Sequence, residues 1–391
     1  MSKIELIATA TFGLESVVAH EVKKLGYEEL TVENGRVNFS ADESAICRTN
    51  LWLRSADRVL VKMGEFDATS FEELFQKTKA LPWPDWLPED ANFPVEGKSI
   101  KSQLHSVPDC QAIVKKAIVE KMKQAYKKEW FDETGPKYTI EVALLKDRVT
   151  LTMDTSGVGL HKRGYRKLSS QAPLKETLAA GLLSIARWYP DRVLLDPCCG
   201  SGTIPIEAAL IGHNIAPGIG RTFASESWPN IPKTLWQNAR KEALESEIRN
   251  AKLRIYGTDI DEDVLSLARY HAKEAGIENS IHFQKIPLSK VRSKQKYGFI
   301  ITNPPYGQRL GEIPEVEKLY REMGETFNNF DTWSFFVITS YEKFEQLYGK
   351  KADKKRKLYN GRVMCNLYQY PGPRPPRPRK ADGITNEHKG E

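Results

Sequence analysis

Residues 192–210 read RVLLDPCCGSGTIPIEAAL. An apolar run ends in Asp196, a Gly200-Ser201-Gly202 turn follows, and a helical pattern begins straight after it. In an open α/β sheet this strand, turn and helix place a ligand at the carboxyl end of the first strand, where glycines let the backbone come close. A phosphate-gripping loop is excluded because no Gly-Lys-Ser/Thr follows, and the dinucleotide fingerprint is excluded because its third glycine is missing. The crevice suits a nucleotide-like ligand that is not held by phosphates.

Outward from this stretch, residues from about 173 alternate strand and helix: LKETLAAGLLSIARWY, RVLLDP, IPIEAALIG, LRIYGTDI, VLSLARYHAKEAG, IHFQKI, GFIITNPP, VEKLYREMGETFN and WSFFVITS. Such alternation predicts a doubly wound α/β sheet. KRKLYNGRVMCNLYQY adds two strands about Asn360-Gly361, an antiparallel hairpin that closes a mixed sheet. Upstream lie two small α+β units, expected at 1–65 and 66–157, ahead of an α/β domain at 158–370. The tail 371–391, PGPRPPRPRKADGITNEHKGE, has little to bury and is expected to be disordered.

A length of 391 residues predicts two or three domains, and 40% hydrophobic with 28% charged residues is ordinary for a soluble protein. No apolar run reaches membrane-spanning length, and the N-terminus lacks a signal-peptide layout, so a cytoplasmic protein without membrane attachment is expected. The cysteines Cys47, Cys110, Cys198, Cys199 and Cys365 show no metal-ligand spacing, so no metal is expected. A net charge of +7 favours a polyanionic partner.

Two further signals carry chemistry. Asp259, ending the strand of LRIYGTDIDED, can accept both hydroxyls of a ribose, while Asp261 suits the cap of the next helix. Asn303-Pro304-Pro305-Tyr306 ends another strand, and two adjacent prolines make a stiff turn displaying an amide, carbonyls and an aromatic ring. A glycine loop without a phosphate grip, joined to a ribose acid, points to a nucleoside ligand lacking phosphates, and S-adenosylmethionine is such a ligand. Asp196, Gly200, Gly202 and Asp259 are then the cofactor residues, with Asp196 holding the loop or facing the methionine ammonium.

The order DPCCGSGT, GTDID and NPPY resembles the class I adenosylmethionine-dependent methyltransferases that modify exocyclic amines of bases. HKRGYR at 161–166, APLKETLAA at 172–180, NIAPGIGRTF at 214–223 and NPPYGQRL at 303–310 resemble the bacterial large-subunit ribosomal RNA N2-guanine methyltransferases. The resemblance implies a Rossmann-like class I methyltransferase domain preceded by a ferredoxin-like segment and an RNA-binding THUMP domain. It further implies catalysis at Asn303, Pro304, Pro305 and Tyr306, with 23S ribosomal RNA as partner and substrate. One departure stands out: the acidic residue that family members carry after the third strand is replaced by Ile286-Pro287.

For RNA contact, Lys162, Arg163 and Arg166 crowd around Tyr165 with no acid nearby in sequence. Lys115 and Lys116 belong to a lysine face on the helix PDCQAIVKKAIVEKMKQAYKKEW, which suits either solvent or RNA, and Arg309 follows the catalytic turn. The same motif chemistry also serves tRNA N2-guanine and RNA N6-adenine enzymes. An RNA-binding assembly protein with a vestigial cofactor pocket is the alternative from another class.

Overall fold

The computed structural model describes residues 3–168, 174–307 and 313–376. Arg309 and the tail from 377 lie outside the described residues.

The first half of the chain builds one sheet from seven strands: β1 (Ile4–Ala10), β2 (Leu30–Glu33), β3 (Arg36–Ala41), β4 (Ala56–Asp67), β5 (Val95–Ile100), β6 (Ile140–Leu145) and β7 (Arg148–Asp154). Their order is β2-β3-β1-β4-β7-β6-β5. The two small units are therefore fused through β4, which pairs with β1 from Ala56 to Val61 and with β7 from Leu60 to Asp67. The boundary expected at residue 65 falls inside this strand. An irregularity between Lys62 and Gly64 gives β4 one residue more than β7 opposes, the geometry of a β-bulge, which bends the strand where one unit hands over to the next.

Helices α1 (Glu15–Lys24), α2 (Ser44–Trp52), α3 (Phe71–Lys79) and α4 (Val107–Tyr126) accompany this sheet. On α4 the buried stripe is Cys110, Val114, Ala117, Ile118 and Met122. β5 begins at Val95, and the chain turns at Lys101 with a φ of 51°.

The second sheet contains β8 (Leu194–Asp196), β9 (Ile255–Asp259), β10 (Ile281–Lys285), β11 (Phe299–Thr302), β12 (Ser334–Thr339), β13 (Lys354–Asn360) and β14 (Val363–Tyr370). Its order is β10-β9-β8-β11-β12-β14-β13. The first five are parallel to one another, β14 pairs antiparallel with β12 and β13 antiparallel with β14, which is the mixed sheet with a closing hairpin that the sequence predicts. The hairpin loop is Gly361-Arg362, one residue later than an Asn-Gly turn, with Gly361 at a φ of 63° in the first central position. Helices α5 (Glu176–Ala186), α6 (Thr203–Gly212), α7 (Lys233–Glu245), α8 (Glu262–Glu274), α9 (Ile313–Phe327) and α10 (Phe344–Tyr348) complete the domain. Helix α7 escapes the sequence reading.

The cores interlock across the sequence. Phe223, Trp228, Ile231 and Trp236, from the second half of the chain, belong to the hydrophobic core of the first sheet. Trp228 stacks on Tyr138 at 4.4 Å, and its indole N–H donates to the Lys137 carbonyl at 3.0 Å. In return, Leu14 and Val17 from α1 and its approach join the core around α5 and α6. Burying a side chain of this size contributes roughly 1.5–3 kcal/mol, so the halves are held by packing as well as by the chain.

No helix among the described residues is long and apolar enough to cross a membrane. Nor do they contain a group of His, Cys, Asp or Glu that could hold a metal ion.

Candidate functional site

In the second sheet the chain runs β8, β9, β10 toward one edge and then crosses back to β11 and β12 on the other side of β8. The carboxyl ends of β9, β8 and β11 lie side by side at this switch point, where open α/β sheets bind ligands. They deliver Asp259, Asp196 and Thr302-Asn303 respectively.

The turn after β8 is built for close approach. Gly200 and Gly202 have φ of 51° and 82°, a region that side chains resist. A Cβ at Gly202 would also lie 3.0 Å from Ala268 and 3.1 Å from the Phe283 ring, so this glycine lets α6 start tight against α8 and β10. Asp259 holds the turn: Oδ2 accepts the Gly200 N–H at 3.0 Å and Oδ1 accepts the Asp261 N–H at 3.2 Å. Asp261 caps α8 through the N–H groups of Asp263 and Val264, as the sequence suggests.

Asp196 is only 1% exposed. Its Oδ1 accepts the Thr302 hydroxyl at 2.6 Å and the Cys198 N–H at 3.2 Å. Burial pushes its carboxyl up to about 7, against those two hydrogen bonds, with the Asp259 charge adding to the rise. Thr302 was missed from sequence, yet its hydroxyl ties the chain just before Asn303 to Asp196 at the head of the glycine turn. The neighbouring thiols of Cys198 and Cys199 are pushed well above the ordinary range by burial, which makes them poor nucleophiles.

At the end of β11, Pro304 is buried and Pro305 is exposed. The Pro305 carbonyl accepts the Tyr320 hydroxyl at 2.8 Å, and that oxygen also lies 2.8 Å from Thr339 Oγ1. Tyr320, fully buried on α9, is a second residue without a local sequence signal; it pins the turn from behind. Tyr306 donates its hydroxyl to Asn303 Oδ1 while its ring packs on the core around α5 and α6. Burial raises this phenol strongly, so it is a donor and not a base. Ile286, where an acid was expected, donates its N–H to the Asp259 carbonyl at 3.1 Å. Beside it Ile260 is 67% exposed.

The basic stretch 161–166 is placed differently from the expectation. Arg163 and Tyr165 are buried, and Arg166 is nearly so. Arg163 pairs with Glu207 at 3.4 Å and donates to the carbonyls of Leu160 and Arg54. Tyr165 donates to Glu207 Oε1 at 3.2 Å; Arg166 pairs with Glu176 at 3.0 Å and donates to Thr203 Oγ1. The acids absent locally arrive from α5 and α6, so these three residues form an internal strut behind the glycine turn and are not free on the surface. Of the four RNA-contact candidates in this stretch, Lys162, Arg163, Tyr165 and Arg166, only Lys162 is exposed.

Lys115 is likewise committed, 2.6 Å from Glu133 and over the Phe93 ring. Lys116 remains exposed, its ammonium 5.8 Å from the Phe75 ring.

Against known families, residues 5–60 match the RlmL ferredoxin-like domain, 68–154 the THUMP domain, and 163–369 the RMKL-like methyltransferase domain. The chain is 53% identical over 372 residues to YpsC of Bacillus subtilis, whose RNA methyltransferase name is itself provisional, covering 95% of this chain and 96% of that one. It is 33% identical over 371 residues to the ribosomal RNA large subunit methyltransferase K/L of Legionella pneumophila, covering 93% of this chain but 52% of that longer protein.

Among solved structures, a Listeria monocytogenes protein described as a predicted N6-adenine-specific DNA methylase superposes with a TM-score of 0.91 at 54% identity, covering 95% of this chain and 97% of that one. SMU.472, a methyltransferase by provisional name solved with SAH, superposes with a TM-score of 0.91 at 45% identity over 96% and 100% of the two chains. The catalytic half, the domain order and the full-length likeness agree: the chain belongs to the RMKL-like methyltransferase family, with an RlmL-type ferredoxin-like domain and a THUMP domain ahead of its catalytic domain.

Proposed function

We propose that this protein transfers a methyl group from S-adenosylmethionine to the exocyclic N2 amine of a guanine in RNA, with large-subunit ribosomal RNA as the substrate. The observation that carries the reading is the hydroxyl link from Thr302 to Asp196, which sets an amide acceptor, Asn303, beside a glycine turn at the sheet's switch point. The THUMP match and the names of YpsC and the K/L protein support RNA, and the complex of SMU.472 with SAH supports the cofactor.

The residues present fit this cofactor. Asp196 is a buried carboxylate without a cationic partner among the described residues, and the methionine ammonium would supply one. Asp259 keeps acceptor capacity for ribose hydroxyls beyond its bonds to the turn, and the exposed Ile260 offers an apolar face to adenine in place of the missing acid. When bound, the cofactor supplies an electrophilic methyl on sulfonium.

The chain supplies orientation. A guanine amine is a weak nucleophile because its lone pair is delocalised into the ring. Asn303 Oδ1 and the Pro304 carbonyl each accept one N–H, which turns the lone pair toward the methyl and stabilises the charge that grows on nitrogen. Positioning of this kind reaches effective molarities of about 10⁵–10⁸ M, so no strong base is needed. The arriving amine displaces the Tyr306 hydroxyl from Asn303, and the ring leaves its packing on the core around α5 and α6 to stack on the extruded base. Tyr320 keeps the prolyl turn from yielding.

Calorimetry with the cofactor and mass spectrometry of nucleosides from ribosomal RNA treated with the protein test the reading. N2-methylguanosine is expected. Methylation at adenine N6, the chemistry in the Listeria protein's description, would replace the base assignment, and cofactor binding with no methylated nucleoside would leave an RNA-binding protein with a vestigial pocket. Asn303→Ala is expected to abolish turnover with cofactor affinity kept; normal turnover would defeat the assignment of Asn303.

A further inference from the structure

The hairpin β13–β14 reaches the same rim as the catalytic turn. Thr339, at the carboxyl end of β12, pairs with Asn366, so residues 360–365 project beyond that end of the sheet. Cys365 faces Tyr306 there, thiol to phenol. On the outer side of β13 lies the turn that follows β1. Gly13 has a φ of 90°, and a Cβ on it would sit 2.4 Å from the Lys357 carbonyl, so the turn's backbone rests directly on the strand. Arg356 fastens it by donating to Ser16 Oγ at 2.8 Å.

This junction leaves apolar surface in water. Phe12 is 48% exposed and meets Tyr359 edge to face, with ring centroids 5.9 Å apart. Met364, directly across from Tyr359 in the hairpin, is 41% exposed. Around them the charge is one-sided: residues 350–362, KKADKKRKLYNGR, carry seven lysines and arginines against the single Asp353. Lys355 is taken by Glu345 at 2.7 Å, while Lys354, Lys357 and Arg362 are exposed and have no carboxylate partner among the described residues. Lysines alone would be explained as guards of a sheet edge. Guarding an edge does not explain an exposed Phe12 set edge-on against a part-buried Tyr359 among them, a pattern that suits stacked bases and their phosphates.

We propose that this rim, formed by Phe12, Tyr359 and Met364 with Lys357 and Arg362, docks the RNA strand next to the target nucleotide. A flanking base stacks on the aromatic pair and its phosphates lie toward Lys357 and Arg362. The proposal rests on the reading of the protein as an RNA methyltransferase, and it assigns to the ferredoxin-like domain, through Phe12, a direct part in holding substrate.

The test compares the full-length protein with Phe12→Ser, Tyr359→Ala and the pair Lys357→Gln with Arg362→Gln. One probe is a fluorescein-labelled single-stranded RNA of about 20 nucleotides read by anisotropy. The other is large-subunit ribosomal RNA from cells lacking the protein, read by methyl incorporation. Each aromatic variant is expected to weaken RNA binding and raise the KM for RNA by about fivefold or more. The charge pair should reduce the salt slope of binding by about 0.7 per lost single-strand phosphate contact. Melting temperature and cofactor affinity should hold, and 4-thiouridine RNA should cross-link to Phe12 or Tyr359.

Unchanged RNA affinity and KM in a folded aromatic variant overturn the proposal. So does a variant that keeps RNA affinity but loses binding to ribosomal particles, since the rim would then serve a protein. Wild-type protein that binds cofactor yet methylates no RNA defeats the proposed function, whereas normal methylation by every rim variant defeats only this inference.

Discussion

Two stretches of this molecule have nearly the same chemistry in one dimension and opposite fates in three. HKRGYR at 161–166 and KKRKLYNGR at 354–362 both gather cations around a tyrosine with no acid between them. The first is folded inward, with Glu207 and Glu176 brought from α6 and α5 to neutralise it. The second stays on the outside of an edge strand, with Lys354, Lys357 and Arg362 in water. Counter-charge in space decides which basic stretch is free to meet a polyanion, and local density of lysine and arginine does not.

The inward stretch depends most on Glu207, which is fully buried against Arg163 and Tyr165. Glu207→Ala should cost about 3–5 kcal/mol in chemical denaturation, because it leaves a guanidinium unpaired in the interior. Combining Arg163→Met with Glu207→Leu should cost much less than the sum of the single changes, since a well-packed apolar pair avoids desolvating charge. Additive losses would return Arg163 to the surface.

Asp196 sharpens the contrast, being buried with no cation beside it among the described residues. Its folded carboxyl lies near 7, above the ordinary 3.8, so the native state holds a proton that the unfolded state has released. Stability should therefore fall as pH rises from about 4 to about 7, by at most ~4 kcal/mol, and Asp196→Asn should flatten that slope. Cofactor binding should strengthen over the same rise, since an ammonium prefers the carboxylate. A flat profile in both measurements would show that Asp196 is not the protonated group.

Tyr165→Phe removes one hydrogen bond to Glu207 and should cost about 1 kcal/mol. Lys354→Gln, on the exposed stretch, should change stability by no more than about 0.5 kcal/mol.

Much of the fold was legible where the signal is local. The strand, glycine turn and helix around Asp196, the Asp261 cap and the closing hairpin each rest on residues a few positions apart, and each is found. What could not be read depends on distant pairing. Nothing near residue 60 says that β4 will have a second partner at 148–154. Likewise nothing in HKRGYR announces Glu207, 44 residues away from Arg163. Thr302 looks like the last residue of an apolar strand and Tyr320 like part of a helix stripe; their hydroxyl contacts appear only when Asp196 and Pro305 are brought to them. Helix α7 was hidden for a related reason, since it packs on α2 from the other half of the chain, with Arg48 gripping Glu242 at 2.8 Å.

The shared strand also has a consequence during synthesis. When the first sixty or so residues leave the ribosome, β1, β2, β3 and β4 can zip together, but one flank of β4 stays unpaired until Arg148–Asp154 has been made. A nascent chain with an open flank is a template for pairing with another chain. The early fragment is therefore expected to clump on its own, and a fragment ending after β7 closes that flank but still leaves bare the core surface that Phe223, Trp228, Ile231 and Trp236 cover.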